Sequence, residues 1–168
     1  VRIFLSGFMA AGKTVVGRAL AERLRVPFVD LDASLERRAS SSVAEIFARR
    51  GEQVFRDLED AELARVVEID PVVVALGGGT LERAENLRAV RAAGVVVWLD
   101  TPRSTILSRL ERARSERGTR PLAADTDRLL GLFEERGPTY EQCDHRLRPE
   151  DDETPARVAA RIAELIVR

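Results

Sequence analysis

A chain of 168 residues is the size of one domain, and its 27 basic against 28 acidic residues leave a net charge of −1, so no overall electrostatic case exists for nucleic acid or an anionic membrane as partner. A single cysteine, Cys143, excludes an intrachain disulfide framework, and together with the one histidine, His145, it is too little for a conventional zinc site. No apolar run approaches the roughly 20 residues that span a bilayer, and the chain opens on a strand pattern rather than a charged and then apolar leader, which predicts a cytoplasmic protein.

Residues 1–5 predict a first strand, short and apolar enough for the middle of a parallel sheet. The stretch that follows, G-F-M-A-A-G-K-T from Gly7 to Thr14, has the G-x-x-x-x-G-K-[ST] spacing of a phosphate-binding loop. Two glycines let the backbone wrap with its N–H groups inward, Lys13 reaches the outer phosphates, and the Thr14 hydroxyl is placed for Mg²⁺. A helix is expected over 13–25, its N-terminus adding positive potential at the phosphates. Pro27 separates it from a second strand, Phe28-Val29-Asp30, at whose carboxyl end stand Asp30 and Asp32. Ligands of open α/β sheets gather at such ends.

Residues 33–39 predict a short helix, 40–42 a serine turn, and 43 onward another helix with Ser42 as N-cap, broken at Gly51 and resumed over 52–69. Residues 33–60 thus read as a helical insertion beside the phosphate loop. Pro71 opens the third strand, Val72 to Leu76, apolar throughout and therefore central, which ends in Gly77-Gly78-Gly79-Thr80. A helix over 81–93 and a fourth strand over 95–100 follow, with Trp98 read as packing. Thr101-Pro102 starts a helix that runs into Arg109, Arg112, Arg114, Arg117 and Arg120. Gly118 and Pro121 flank Arg120, the pattern of a mobile segment closing over a ligand. Residues 125–135 predict a helix ended by a turn at Gly137-Pro138, 145–148 a last strand, and 154–168 an amphipathic closing helix.

Alternating strands and helices predict one α/β domain over 1–168: a five-stranded, mostly parallel sheet with helices on both faces, three layers in all. No N-K-x-D guanine motif is present, and the third strand ends in glycines rather than a Walker B acid. Asp30 and Asp32 are then the candidate acids, one for Mg²⁺ and one for an acceptor hydroxyl.

Six motifs in order and spacing resemble the shikimate kinases, a family within the nucleoside-monophosphate-kinase-like P-loop enzymes. Besides Gly7 to Thr14 they are D-L-D at 30–32, I-F-A-R-R-G-E-Q-V-F-R at 46–56, G-G-G-T at 77–80, R-P-L at 120–122 and R-G-P-T-Y at 136–140. The resemblance spans essentially the whole chain. It implies a P-loop kinase whose insertion at about 33–60 binds the acceptor and whose mobile lid lies at about 112–124. The implied reaction is transfer of the ATP γ-phosphoryl group to the 3-hydroxyl of shikimate. Separately, the absence of a long exposed apolar stripe from the pattern makes a monomer the expectation, and the charge balance predicts no nucleic-acid or membrane partner. Gly7, Ala10, Ala11, Gly12, Lys13, Thr14 and Val15 would cradle ATP, and Arg109 would stack on adenine. Thr14 would bind Mg²⁺ directly and Asp30 through water.

For the acceptor, the resemblance implies Arg56 and Arg136 as bidentate partners of the carboxylate. Gly78 and Gly79 would approach the ring with their backbone, and Asp32 would bind the ring hydroxyls. Lys13, Asp32 and Arg120 would be catalytic. Glu59, one turn beyond Arg56, is expected to orient it by an i, i+3 pair. Phe47 and Phe55 are expected as apolar wall, with ordinary helix core packing the competing role for both and an equal one for Phe47.

Two departures stand in the phosphate loop: Ala10 replaces the family's common middle glycine, and Val15 stands where Ser or Thr often follows the Mg²⁺ ligand. A positive φ at Ala10 would reveal strain there. Three other readings compete: a gluconate-kinase-like enzyme, a nucleoside-monophosphate kinase, and a nucleotide-binding module without turnover.

Overall fold

A computed structural model describes residues 1–116 and 125–167. Its five strands, β1 (Arg2–Ser6), β2 (Phe28–Asp30), β3 (Val72–Ala75), β4 (Val95–Leu99) and β5 (His145–Leu147), are all parallel in the order β2-β3-β1-β4-β5. The helices are α1 (Lys13–Leu24), α2 (Leu31–Ala39), α3 (Val43–Val66), α4 (Ala84–Ala93), α5 (Arg103–Glu116), α6 (Thr126–Tyr140) and α7 (Pro155–Val167), with a 3₁₀ turn at Thr80–Glu82.

The strand period of two sorts the core into two layers. Ile3, Leu5, Val73, Val97 and Leu99 face Val16 and Leu20 of α1 and Val158 and Ile162 of α7. Phe4, Val72, Val74 and Val96 face the other way, against Leu63 and Val66 of α3 and Leu87 and Val90 of α4. Burial on both faces is why these strands read as unbroken apolar runs. The chain leaves β1 toward β3 and β2 on one side and returns to β4 on the other. The switch point lies beyond the carboxyl end of β1, where the Gly7–Thr14 loop begins.

Most predicted elements appear within a residue or two. Helix α2 starts at Leu31 rather than at residue 33, because Asp30 acts as its N-cap and accepts from the Ala33 N–H at 3.1 Å. Ser42 caps α3 in a full capping box with Glu45, and Gly51 interrupts it with φ 83°, ψ 170°. The second half of α3 stops at Val66, short of residue 69. The helix expected from residue 81 divides into the 3₁₀ turn and α4.

The predicted turn at Gly137-Pro138 is not a turn: α6 runs through Pro138 to Tyr140. Tertiary contacts outweigh the missing N–H. Tyr140 packs against Trp98 with ring centroids 5.8 Å apart and donates its hydroxyl to Gly78 O at 2.7 Å. Trp98 is buried packing, as expected.

Candidate active site

The loop from Gly7 to Thr14 joins β1 to α1 and curls through positive φ at Gly7 (144°), Ala10 (59°) and Gly12 (99°). The left-handed conformation that glycine adopts freely is therefore held by an alanine at position 10, at a cost of about 1–2 kcal/mol in local strain. Ala10→Gly should relieve it. After subtraction of glycine's extra unfolded-state entropy, the expected gain is about 1 kcal/mol or less in a urea titration. A lower midpoint would show that the methyl group is needed for packing.

Lys13 Nζ lies against the loop's own carbonyls, 2.7 Å from Gly7 O and 2.9 Å from Phe8 O. Burial brings its pKa down to about 8, against the upward pull of Asp32 and then Asp30. The Thr14 hydroxyl donates to Asp30 Oδ2 at 2.6 Å, so the end of the loop and the end of β2 present two hard oxygens side by side. Among the described residues no group of three or more His, Cys, Asp or Glu could hold a metal. Mg²⁺ bound through phosphates and water needs only one or two protein oxygens, and this pair fits it.

Asp32 sits in the first turn of α2, and its Oδ1 is buried with no hydrogen-bond partner among the described residues. Burial, then the charge of Glu59, then that of Asp30, push it up to about 6. Glu59 is 1% exposed and accepts from Arg56 Nη1 at 2.8 Å and Thr80 Oγ1 at 2.5 Å. The expected i, i+3 pair is therefore present, and Thr80 extends it to the glycine triplet.

Those glycines lie under the charges. A methyl group on Gly77 would stand 2.8 Å from Glu59 Oε1 and 3.0 Å from Asp32 Oδ1. On Gly78 it would stand 3.1 Å from Arg136 Nη1, and on Gly79 2.7 Å from both Arg136 Nη2 and Arg56 Nη2. Arg56 and Arg136, 80 residues apart in sequence, thus converge over one α-carbon. Arg136 is nearly buried, with its guanidinium 5.8 Å from the Phe8 ring centroid.

Glu82 has no role in the sequence reading, which assigns it to an ordinary helix, yet its carboxylate meets both arginines. Oε1 accepts from Arg136 Nε at 3.0 Å, and Oε2 lies 3.4 Å from Arg136 Nη2 and 3.5 Å from Arg56 Nη2. The available signal was an acid three residues beyond the glycine triplet. Phe47 does not take the core-packing role: it stays 37% exposed while its ring lies 4.6 Å from that of the buried Phe55.

On the other side of the loop opens a cavity of about 650 Å³, lined by Gly12, Val15, Thr101, Arg109, Arg112 and the segment from Pro149 to Glu153, among others. Arg109 Nη1 donates to Ala10 O at 2.9 Å, fixing the guanidinium at the cavity edge. Arg120 and the greater part of the expected lid, including Arg117, lie outside the described residues.

A family model described as shikimate kinase matches residues 9–167. A shikimate kinase of Gloeobacter violaceus is 46% identical, with 98% of this chain and 96% of the relative covered. A crystal structure of shikimate kinase from Bacteroides thetaiotaomicron superposes with a TM-score of 0.90 at 33% identity, covering 100% of this chain and 99% of that one. The structure of shikimate kinase from Acinetobacter baumannii in complex with shikimate gives a TM-score of 0.87 at 35% identity, over 99% of this chain and 92% of that one.

Proposed function

The chain belongs to the shikimate kinase family, and from that membership we propose that its cleft transfers the γ-phosphoryl group of ATP to the 3-hydroxyl of shikimate. It is an ATP-dependent phosphotransferase with an alcohol as acceptor. One observation carries the acceptor assignment. Two guanidinium groups from distant parts of the chain reach 2.7 Å from a single point over Gly79, with Asp32 3.0 Å from the corresponding point over Gly77, an arrangement that suits a planar carboxylate on a hydroxylated ring.

Phosphoryl transfer asks mainly for positioning and charge neutralisation. Lys13 and Arg120 would supply positive charge to the transferring group, and the backbone N–H groups of residues 10–15 would hold the phosphates. Thr14 and Asp30 would hold Mg²⁺, which supplies further neutralisation when bound. Asp32 would orient the acceptor hydroxyl and take its proton. Its raised pKa suits that work, since a base near the working pH transfers protons most effectively. Arg56 and Arg136 would fix the acceptor carboxylate, Glu59 would keep Arg56 aligned, and Arg109 would stack on adenine. Residues 33–60 form the acceptor wall in this reading, and 112–124 the lid. We further propose a monomeric, cytoplasmic enzyme; no described helix is long and apolar enough to cross a membrane. Sedimentation at micromolar concentration would reveal a dimer instead.

A coupled ADP-release assay offering shikimate, gluconate and a nucleoside monophosphate tests the assignment: shikimate alone should accelerate turnover. Acceleration by gluconate would move the acceptor assignment, and acceleration by none would favour a binding module.

The free-enzyme pH profile of kcat/KM should be bell-shaped. Activity needs Asp32 ionised and Lys13 protonated, so it falls as pH drops through about 6 and again as pH rises through about 8. A profile flat between pH 5 and 7 would remove Asp32 from the base role.

A further inference from the structure

We infer that Glu82 sets how strongly this site prefers an acceptor carrying a carboxylate over a neutral one, an inference that rests on the assignment of Arg56 and Arg136 to the acceptor carboxylate. The geometry is that of a resident carboxylate. A methyl group on Gly79 would lie 2.6 Å from Glu82 Oε2 and 2.7 Å from each arginine's Nη2, so the three charged groups meet at the place reserved for the substrate's own anion.

Glu82 enters from the 3₁₀ turn just past the glycine triplet, and it is the acidic partner of Arg136 among the described residues. Its side chain is 37% exposed, so its carboxylate has solvent to retreat to. Glu59 has no such freedom, because it is buried and held by both Arg56 and Thr80.

The charges decide the consequence. With Glu82 in place, Arg56 and Arg136 face Glu59 and Glu82, and the exposed Glu52 stands 3.7 Å from Arg56 Nη2, so every guanidinium already has a carboxylate partner. A neutral acceptor entering here meets guanidinium groups whose bonds are already made. An acceptor carboxylate must displace Glu82 or lie beside a like charge, and either costs binding free energy. Specificity is the difference between two affinities, so a side chain that penalises the charged acceptor and spares the neutral one narrows the preference.

The test compares the wild type with Glu82→Gln and, as a second variant, Glu82→Ala. It measures kcat and KM for shikimate and for its methyl ester, with KM for ATP as reference and a urea midpoint to verify folding. Removal of the resident charge should lower KM for shikimate by about tenfold and leave the ester within about twofold. The shikimate-to-ester ratio of kcat/KM then rises about tenfold. If Glu82 were only a strut aligning Arg136, both variants would raise KM for shikimate. That sign, or an unchanged ratio, overturns the inference while leaving the acceptor assignment standing. A wild type that does not phosphorylate shikimate overturns both.

Discussion

Asp32→Asn should lose about two to four orders of magnitude in kcat with shikimate and, at the same time, become harder to unfold at pH 8. The loss follows from removing the only group in the acceptor cleft assigned to take the hydroxyl proton. The gain follows from the opposite sign of its electrostatics. Asp32 ionises near pH 4 in the unfolded chain but only near pH 6 in the folded one, since burial and the charges of Glu59 and Asp30 oppose its ionisation. Between those values the folded state binds more protons, so stability falls as pH rises, and above pH 6 the full penalty is present. Asparagine cannot ionise. The variant should therefore exceed the wild type by of the order of 1–3 kcal/mol at pH 8, and the difference should close below pH 4. Urea titrations at the two pH values check this. A variant less stable at pH 8, or one that keeps wild-type turnover, sinks both halves.

Arg136→Ala should lower kcat/KM for shikimate by about 30-fold to several thousandfold, the equivalent of roughly 2–5 kcal/mol, with KM for ATP unchanged. Arg136→Lys should recover little of it, because a point charge cannot reproduce the guanidinium fork. Arg56→Ala should damage acceptor binding comparably but carry a second cost. Arg136 leaves behind Glu82, which water can solvate, whereas Arg56 leaves behind Glu59, buried with Thr80 as its remaining hydrogen-bond partner among the described residues. Stranding a buried charge costs about 3–5 kcal/mol, so Arg56→Ala should also lower the unfolding midpoint clearly. Equal stability losses in the two variants would contradict this division, and an unchanged shikimate KM in Arg56→Ala would remove Arg56 from the acceptor site.

The parts of the molecule that local chemistry specifies were legible in the chain. The phosphate loop, the buried strands and the Ser42 cap each carry their cause within a few residues of themselves. So does the Arg56–Glu59 pair, since it needs only one helical turn. What was not legible depends on contacts far apart in sequence. Pro138 signals a turn by its own backbone, and only the bond from Tyr140 to Gly78 and the face of Trp98 explain why α6 continues. Glu82 resembles any acid at the start of a helix until Arg56 and Arg136 arrive from α3 and α6. The raised pKa of Asp32 is similarly invisible, because it is made by burial and by Glu59 on another helix.

The sheet itself has a consequence for turnover. The β1–β3 ladder continues one bond past β3, with Leu76 N donating to Leu5 O at 3.0 Å, so the phosphate loop and the glycine triplet leave adjacent strands at the same height. A methyl group on Gly78 would come within 3.5 Å of Met9 N, which leaves little more than bare backbone between the two loops. In the proposed reaction donor and acceptor would be held as if between the jaws of a caliper, whose opening is set by the seating of Phe4 and Val74 in the core rather than by any side chain at the tips. An ångström of misplacement is worth about a hundredfold in rate. Repacking beneath those two residues, remote from every reacting atom, is therefore expected to slow the chemical step while leaving both substrates bound.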